Sequence, residues 1–155
     1  MGIFIGGTTD DNKMEDYEEG IFTPRIGPHA TNSIYESGTG HYTKIGNKVT
    51  IVIHFENKNP NSFGSGNSNI IRVWNFPFAI RQTSNSATAH QPMMAQMMYN
   101  IRFAANEKHY FYTTNNGTQV LGLKSRDGTS WTNWLVSDFN INGFYLHSQL
   151  TYMVA

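Results

Sequence analysis

The segment Thr39–Glu56 admits few folds. Tyr42 and Ile45 lead into Gly46-Asn47, a dipeptide that accommodates the positive φ angles of a two-residue hairpin turn. Beyond it Val49, Ile51, Ile53 and Phe55 alternate with Lys48, Thr50, His54 and Glu56. A period of two is that of a strand with one buried face. Val52 interrupts the polar side, so the second face is expected to be partly covered as well.

The rest of the chain reads as further short strands between turn signals. Ile3-Phe4-Ile5 is a short apolar strand set between glycines, and residues 8–16 read as a polar, acidic linker. Ile21 and Phe22 form a strand ended at Thr23-Pro24. Residues 25–40 carry few apolar positions and read mostly as loop, with a brief edge strand at Ile34 and Tyr35. Asn57 to Asn69 reads as a low-complexity loop with one aromatic, Phe63. Ile70 to Trp74 is the next strand, and residues 82–92 are another polar loop. From Met93 to Phe103, strict alternation through Tyr99, Ile101 and Phe103 outweighs the helix preference of Met, Ala and Gln. It predicts a strand with Met93, Ala95, Met97, Tyr99, Ile101 and Phe103 on one face. Ala104 to Glu107 turns the chain. His109 to Thr113 pairs with Val120 to Leu123 across an Asn115-Asn116-Gly117 turn. Asn116-Gly117-Thr118 also fits a glycosylation pattern, read here as a turn only. Turn signals recur at Arg126-Asp127-Gly128 and Asn142-Gly143, and a last strand carries Phe144, Leu146, Leu150 and Tyr152. No fixed-period repeat and no long amphipathic helix interrupts this pattern. Many short strands separated by turns predict an all-β, jelly-roll-like antiparallel sandwich.

Composition narrows the function classes. The chain has 155 residues, enough for one domain with a core. Eleven acids balance eleven bases, and there is no basic stripe, which argues against nucleic acid as a partner. No apolar run is long enough to span a bilayer, and residues 1–20 lack the pattern of a signal peptide. The absence of cysteine excludes disulfides, thiolate metal sites and cysteine nucleophiles. Stability must then come from elsewhere, and oligomerisation is a common route. Asn, Ser, Thr and Gly supply the polarity and aromatics make up 14%, a composition suited to an extracellular-type β protein or a carbohydrate-facing surface.

Asp16-Tyr17-Glu18-Glu19-Gly20-Ile21-Phe22-Thr23-Pro24 resembles the D-Y-E-E-G-T-W/F-T-P opening motif of a phage tail-fibre, or receptor-binding protein, C-terminal domain. In that family a Gly-rich shaft end and an acidic linker precede the motif. Ile3-Phe4-Ile5-Gly6-Gly7-Thr8 and Asp10 to Glu15 stand in those places. Gly40 to Val49 matches the family's G-x-Y-T-K-I/V-G-N/R-x-V, Trp74 to Phe78 resembles its G-L-P-F-like turn, and Leu150 to Val154 its closing strand. Residues 80–140 match no motif of the family. The resemblance implies a trimeric all-β head at the tip of a viral fibre, carried on the virion and extracellular after release by lysis. Its implied partners are two further copies of the chain, other virion tail proteins and a host-surface glycan or protein receptor. It implies residues 1–15 as an N-terminal strand and linker, with Ile3, Phe4 and Ile5 in trimer or shaft contacts, and residues 16–155 as the head.

The residues offer little reaction chemistry. Asp10, Asp11, Asp16, Glu18 and Glu19 form an acidic cluster without EF-hand spacing, better suited to turns and ion pairs than to Ca²⁺. The six histidines show no metalloprotease spacing, so no metal ligand and no cofactor is assigned and the histidines are placed on polar strand faces. There is no nucleophile elbow and no Walker loop. Between residues 25 and 155 the acids are only Glu36, Glu56, Glu107, Asp127 and Asp138, so no catalytic residue is assigned and the expectation is a protein that is not an enzyme. For binding, Trp131 and Trp134 lie among Arg126, Asp127 and Asn133, and Tyr110 with Tyr112 is a second candidate. Aromatic faces stack on sugar C–H faces while Arg, Asp and Asn meet hydroxyls. The competing role for each tryptophan is core or subunit interface. Attachment to host glycan is the expected function. Its rivals are a structural fibre cap without a receptor, a polysaccharide depolymerase and a free carbohydrate-binding module.

Overall fold

A computed structural model describes residues 3–4, 13–14, 17–29, 34–64, 69–81, 96–113, 117–139 and 142–154. In chain order the strands are β1 (Ile3–Phe4), β2 (Lys13–Met14), β3 (Tyr17–Phe22), β4 (Arg25–Pro28), β5 (Glu36–Ser37), β6 (Thr39–Ile45), β7 (Lys48–Lys58), β8 (Ile71–Trp74), β9 (Gln96–Tyr99), β10 (Glu107–Thr113), β11 (Gln119–Arg126), β12 (Thr132–Asn133) and β13 (Phe144–Met153). One sheet runs β3-β6-β7-β13-β9, and the other runs β10-β11-β8-β4-β5 with β12 on β11. Every pairing is antiparallel. The chain passes repeatedly from one sheet to the other, and their inner faces enclose the core. This is the all-β sandwich expected from the pattern. Among the described residues no helix is long and apolar enough to cross a membrane.

The hairpin that constrained the fold forms as read. β6 and β7 pair from Ile45↔Lys48 to Thr39↔His54 around Gly46-Asn47. Gly46 has φ +57°, and Asn47 has none of the positive φ values. Positive φ at the first turn residue is where a type II′ turn places glycine. Val49, Ile51, Ile53 and Phe55 are buried. β13 lies on the other side of β7, paired from Met153↔Lys48 onward, and adds Phe144, Leu146, Leu150 and Tyr152 to the core.

Elsewhere the structure differs from expectation, for identifiable reasons. Arg25–Pro28 is a strand, not loop, lying between β8 and β5. Its Gly and Pro are poor strand formers, but a central position in the sheet overrides propensity. The short edge strand falls at Glu36–Ser37 rather than at Ile34 and Tyr35. β7 runs on to Lys58, and the 3₁₀ turn Pro60–Phe63 tucks Phe63 into the core. β9 begins at Gln96, and Met93 to Ala95 lie outside the described residues. Its alternation then breaks. Met97 and Tyr99 are exposed, while Met98, Ile101 and Phe103 pack on the core. Asn100, at φ +59°, reverses the parity, so the predicted single face is two faces. At the N-terminus β1 pairs with β2 of the same chain, so part of the predicted linker is strand. Ile5, the 82–92 loop and Asn115-Asn116 lie outside the described residues.

Candidate functional site

β10 and β11 form one edge of the six-stranded sheet, paired from Glu107↔Arg126 to Thr113↔Val120. Period two sends His109, Phe111 and Thr113 inward and Lys108, Tyr110 and Tyr112 outward. The turn after β11 places Gly128 at φ +77°, with the Thr129 N–H donating to the Arg126 carbonyl at 3.1 Å. It returns the chain as β12, where Asn133 pairs with Leu123 and Thr132 with Lys124.

β12 lies between the two tryptophans, and their surroundings differ. Trp131 is 62% exposed, with its ring centroid 6.3 Å from that of Tyr112. Trp134 is fully buried. Its Nε1–H donates to the Leu123 carbonyl at 2.8 Å, and its indole packs against Phe103, Phe111 and Phe139. It also lies on Gly122, where any Cβ would collide with the indole. A ring enclosed on every side offers no face to a sugar, so Trp134 is core, not a stacking platform. The segment does not alternate cleanly, and β12 spans only Thr132–Asn133, so the sequence carried no signal for which tryptophan is buried.

The other expected contacts divide in the same way. Tyr110 is 38% exposed, and Tyr112 is half-buried, with burial pushing its phenol pKa up. Arg126 and Asp127 are exposed on the turn, and Asp127 pairs with Lys108 at 3.3 Å. A pair this open to solvent holds geometry weakly. Asn133 is half-buried, and its Oδ1 has no hydrogen-bond partner among the described residues. Trp131, Tyr112, Tyr110 and Asn133 therefore share one outer surface, with Arg126 and Asp127 at its rim. It is an exposed aromatic ledge suited to stacking rather than to a deep pocket, with the Asp127 carboxylate paired to Lys108 and the Asn133 Oδ1 buried.

A second aromatic array lies on the same sheet and was not anticipated. The Arg25 guanidinium sits 4.3 Å from the Tyr35 ring and that of Arg72 sits 4.3 Å from Trp74. Tyr35 and Trp74 meet edge to face at 5.8 Å, and an Arg72 Nη1–H donates to Gln119 Oε1 at 3.0 Å. These residues come from β4, β8, β11 and the approach to β5, so no sequence window contains them.

Most of the described acids have structural partners. Asp138 accepts from Lys124 Nζ at 2.7 Å and from the Leu135 N–H at 2.8 Å. Glu107 accepts from the Ala104 N–H at 2.9 Å, and Glu18 pairs with Lys44 at 2.9 Å. Glu36 is half-buried on β5. Asp10, Asp11 and Asp16 lie outside the described residues. Among the described residues, one group has the donor types of a metal site: His54, Glu56 and His147.

No family model matches the sequence, and no curated protein matches it. Among solved structures, the crystal structure of Dettilon tailspike protein superposes with a TM-score of 0.56 at 13% identity. The fold is shared with part of a phage tailspike. The match covers 86% of this chain and 23% of that one, so this chain spans about a quarter of the tailspike's length. At that identity the likeness concerns the fold.

Proposed function

We propose that the chain is the head of a phage tail protein that attaches the virion to a host by binding surface glycan. The binding surface is the ledge of Trp131, Tyr112 and Tyr110, with Asn133, Arg126 and Asp127 meeting sugar hydroxyls. The observation that carries this reading is the Trp131 indole, 62% exposed beside a tyrosine on a rigid sheet edge. Trp131 lies beside Tyr112 rather than alone, and an amphipathic ring suits a ligand with apolar faces and polar edges. The fold shared with a tailspike supports a place in the virion tail. The tail-fibre motif at Asp16 to Pro24 supports a trimer with the head distal and Ile3, Phe4 and Ile5 toward the shaft and the other tail proteins.

The test is light scattering and glycan-array binding on the same purified sample, with Trp131→Ala alongside. The expected result is a trimer with array hits that Trp131→Ala weakens at least about tenfold without altering the thermal transition, as for loss of a central aromatic contact. A trimer that binds no glycan would overturn the reading in favour of a structural cap. Sugar fragments released from polysaccharide would instead make the chain a depolymerase, and a monomer with hits a binding module.

A further inference from the structure

The open face of the five-stranded sheet gathers three metal-competent side chains. β7 and β13 are neighbours inside that sheet, and their register sets His147 directly opposite His54. Glu56 follows His54 by two residues and so emerges on the same face. The two imidazoles stack with centroids 4.4 Å apart and planes 11° from parallel. The donor atoms of His54, Glu56 and His147 all lie within 4.8 Å of one another. His147 Nε2 lies 3.5 Å from Glu56 Oε1, and it is buried with no hydrogen bond among the described residues.

The backbone singles out the same place. The β7–β13 register shifts between Phe144 and Leu146, opposite Lys58 and Phe55. Asn57, inside that interval, has φ +48°. One extra residue on β7 is a β-bulge, a device that re-aims a side chain, and here the adjacent side chain is Glu56. Beside it opens a groove of about 360 Å³ lined by Gly38, Thr39, His54, Glu56 and Lys58.

We propose that His54, Glu56 and His147 bind a divalent transition metal of the Zn²⁺ class, leaving a fourth coordination position open to this groove. Two imidazoles and one carboxylate form a nitrogen-rich borderline donor set that suits Zn²⁺, Co²⁺ or Ni²⁺; Mg²⁺ and Ca²⁺ prefer all-oxygen sets. Metal–ligand bonds of about 2.0–2.1 Å in a tetrahedron put donors about 3.3–3.4 Å apart. The His147–Glu56 pair is already at 3.5 Å, and side-chain rotation closes the remaining separations. All three ligands stand on two paired inner strands, His54 and Glu56 on β7 and His147 on β13, so little backbone has to be ordered on binding. Lys58 faces the same groove, and its charge opposes that of the ion. The affinity is therefore set below that of a closed four-ligand site.

The test uses the full chain without an affinity tag, stripped with chelator and titrated with Co²⁺ by visible absorption and with Zn²⁺ by calorimetry. About one ion per chain is expected, with tetrahedral-type Co²⁺ bands that Zn²⁺ displaces and no response to Mg²⁺ or Ca²⁺. His54→Asn, His147→Asn and Glu56→Gln should each weaken binding at least about tenfold, the lower end for loss of even an outer-shell partner. His29→Asn, on an exposed residue remote in sequence from the three, should not. Glu56→Gln alters a carboxylate whose side chain is 63% exposed, so it tests the site even if a histidine variant folds poorly. Binding unchanged in all three variants, or weakened equally by His29→Asn, would overturn the assignment. So would the absence of a Co²⁺ spectrum, which would leave His147 and Glu56 as an ion pair only.

Discussion

Among the described residues, four other than glycine hold a positive φ, and all are asparagine: Asn57 at 48°, Asn75 at 69°, Asn100 at 59° and Asn106 at 68°. Asparagine tolerates this region better than other residues with a Cβ because its short amide can hydrogen-bond locally. The Asn75 amide donates to the Thr23 carbonyl at 2.8 Å and the Asn100 amide to the Gly143 carbonyl at 2.9 Å. At these four positions asparagine thus serves turn and bulge geometry. Replacing Asn100 by Ala should combine about 1–2 kcal/mol of left-handed strain with the roughly 0.5–1.5 kcal/mol of a lost hydrogen bond. A fall in Tm of about 5–10 °C is the expected reading, and Asn100→Gly should recover the strain part. Equal Tm for both variants would mean that strain plays no role. A second residue-scale prediction concerns His109, stacked on Phe103 at 3.7 Å with a buried Nδ1 that has no hydrogen bond among the described residues. Burial holds its pKa below the ordinary 6.5; Lys124 adds to that lowering while Glu107 and Asp138 oppose it. On acidification the unfolded chain takes up this proton first. The stability linked to neutral His109 is therefore complete above pH 6.5 and is lost as pH falls through the lower folded value. His109→Gln should flatten the decline of Tm as pH falls below 6.5. An unaltered slope in His109→Gln would assign the acid sensitivity to other groups.

At the scale of elements, the clearest test lies where β11 meets the buried tryptophan. Trp134 rests on Gly122, and no Cβ fits between them. Gly122→Ala should force the indole out of place at a cost of about 1–3 kcal/mol or more, while Trp134→Phe leaves a cavity and removes the indole hydrogen bond to the Leu123 carbonyl. Made together, they should be less damaging than the sum, because the smaller ring makes room for the methyl group. Strict additivity of the two Tm changes would mean that the contact does not couple them. The same elements show why some of the fold was legible and some was not. β6, β7 and β13 announce themselves because one face is buried and the other wet, so period two survives in the residues. β4 was missed because Arg25-Ile26-Gly27-Pro28 takes its strand character from its neighbours rather than from its own propensities. β9 was recognised, but the parity change at Asn100 depends on a single backbone angle that alternation cannot encode. Of the proposed ledge, Trp131, Tyr110 and Tyr112 stood out as aromatics near a turn, while the burial of Trp134 depends on its contacts with Gly122 and the phenylalanines rather than on a pattern around it. The Arg25–Tyr35–Trp74–Arg72 array and the His54–Glu56–His147 group were invisible, because register between distant strands creates them.

At the scale of the whole molecule, the proposed ledge is shallow and lies on one sheet edge, so a single copy has few contacts with which to hold a glycan. Association pays a large entropic cost before any surplus appears as affinity, and three or four exposed side chains leave little surplus. Repetition on a trimer changes the outcome without a new contact, since the second and third sites bind at the effective concentration set by the first. Under the proposed function, a trimer of the chain should bind a dense glycan surface about 10²–10⁴-fold more tightly than the same oligosaccharide free in solution. Surface-binding and solution-calorimetry measurements on one preparation give that ratio. The sequence carries eleven acids and eleven bases, so long-range attraction contributes little. If stacking dominates, the ratio should survive an increase in salt from about 0.1 M to 1 M, across which the Debye length falls from roughly 10 Å to 3 Å. A ratio near one would remove avidity, and with it the reason for a trimer built around so small a site. A ratio that collapses in high salt would shift recognition from the Trp131 ledge to charge, with Arg126 and Lys108 as the residues to replace first.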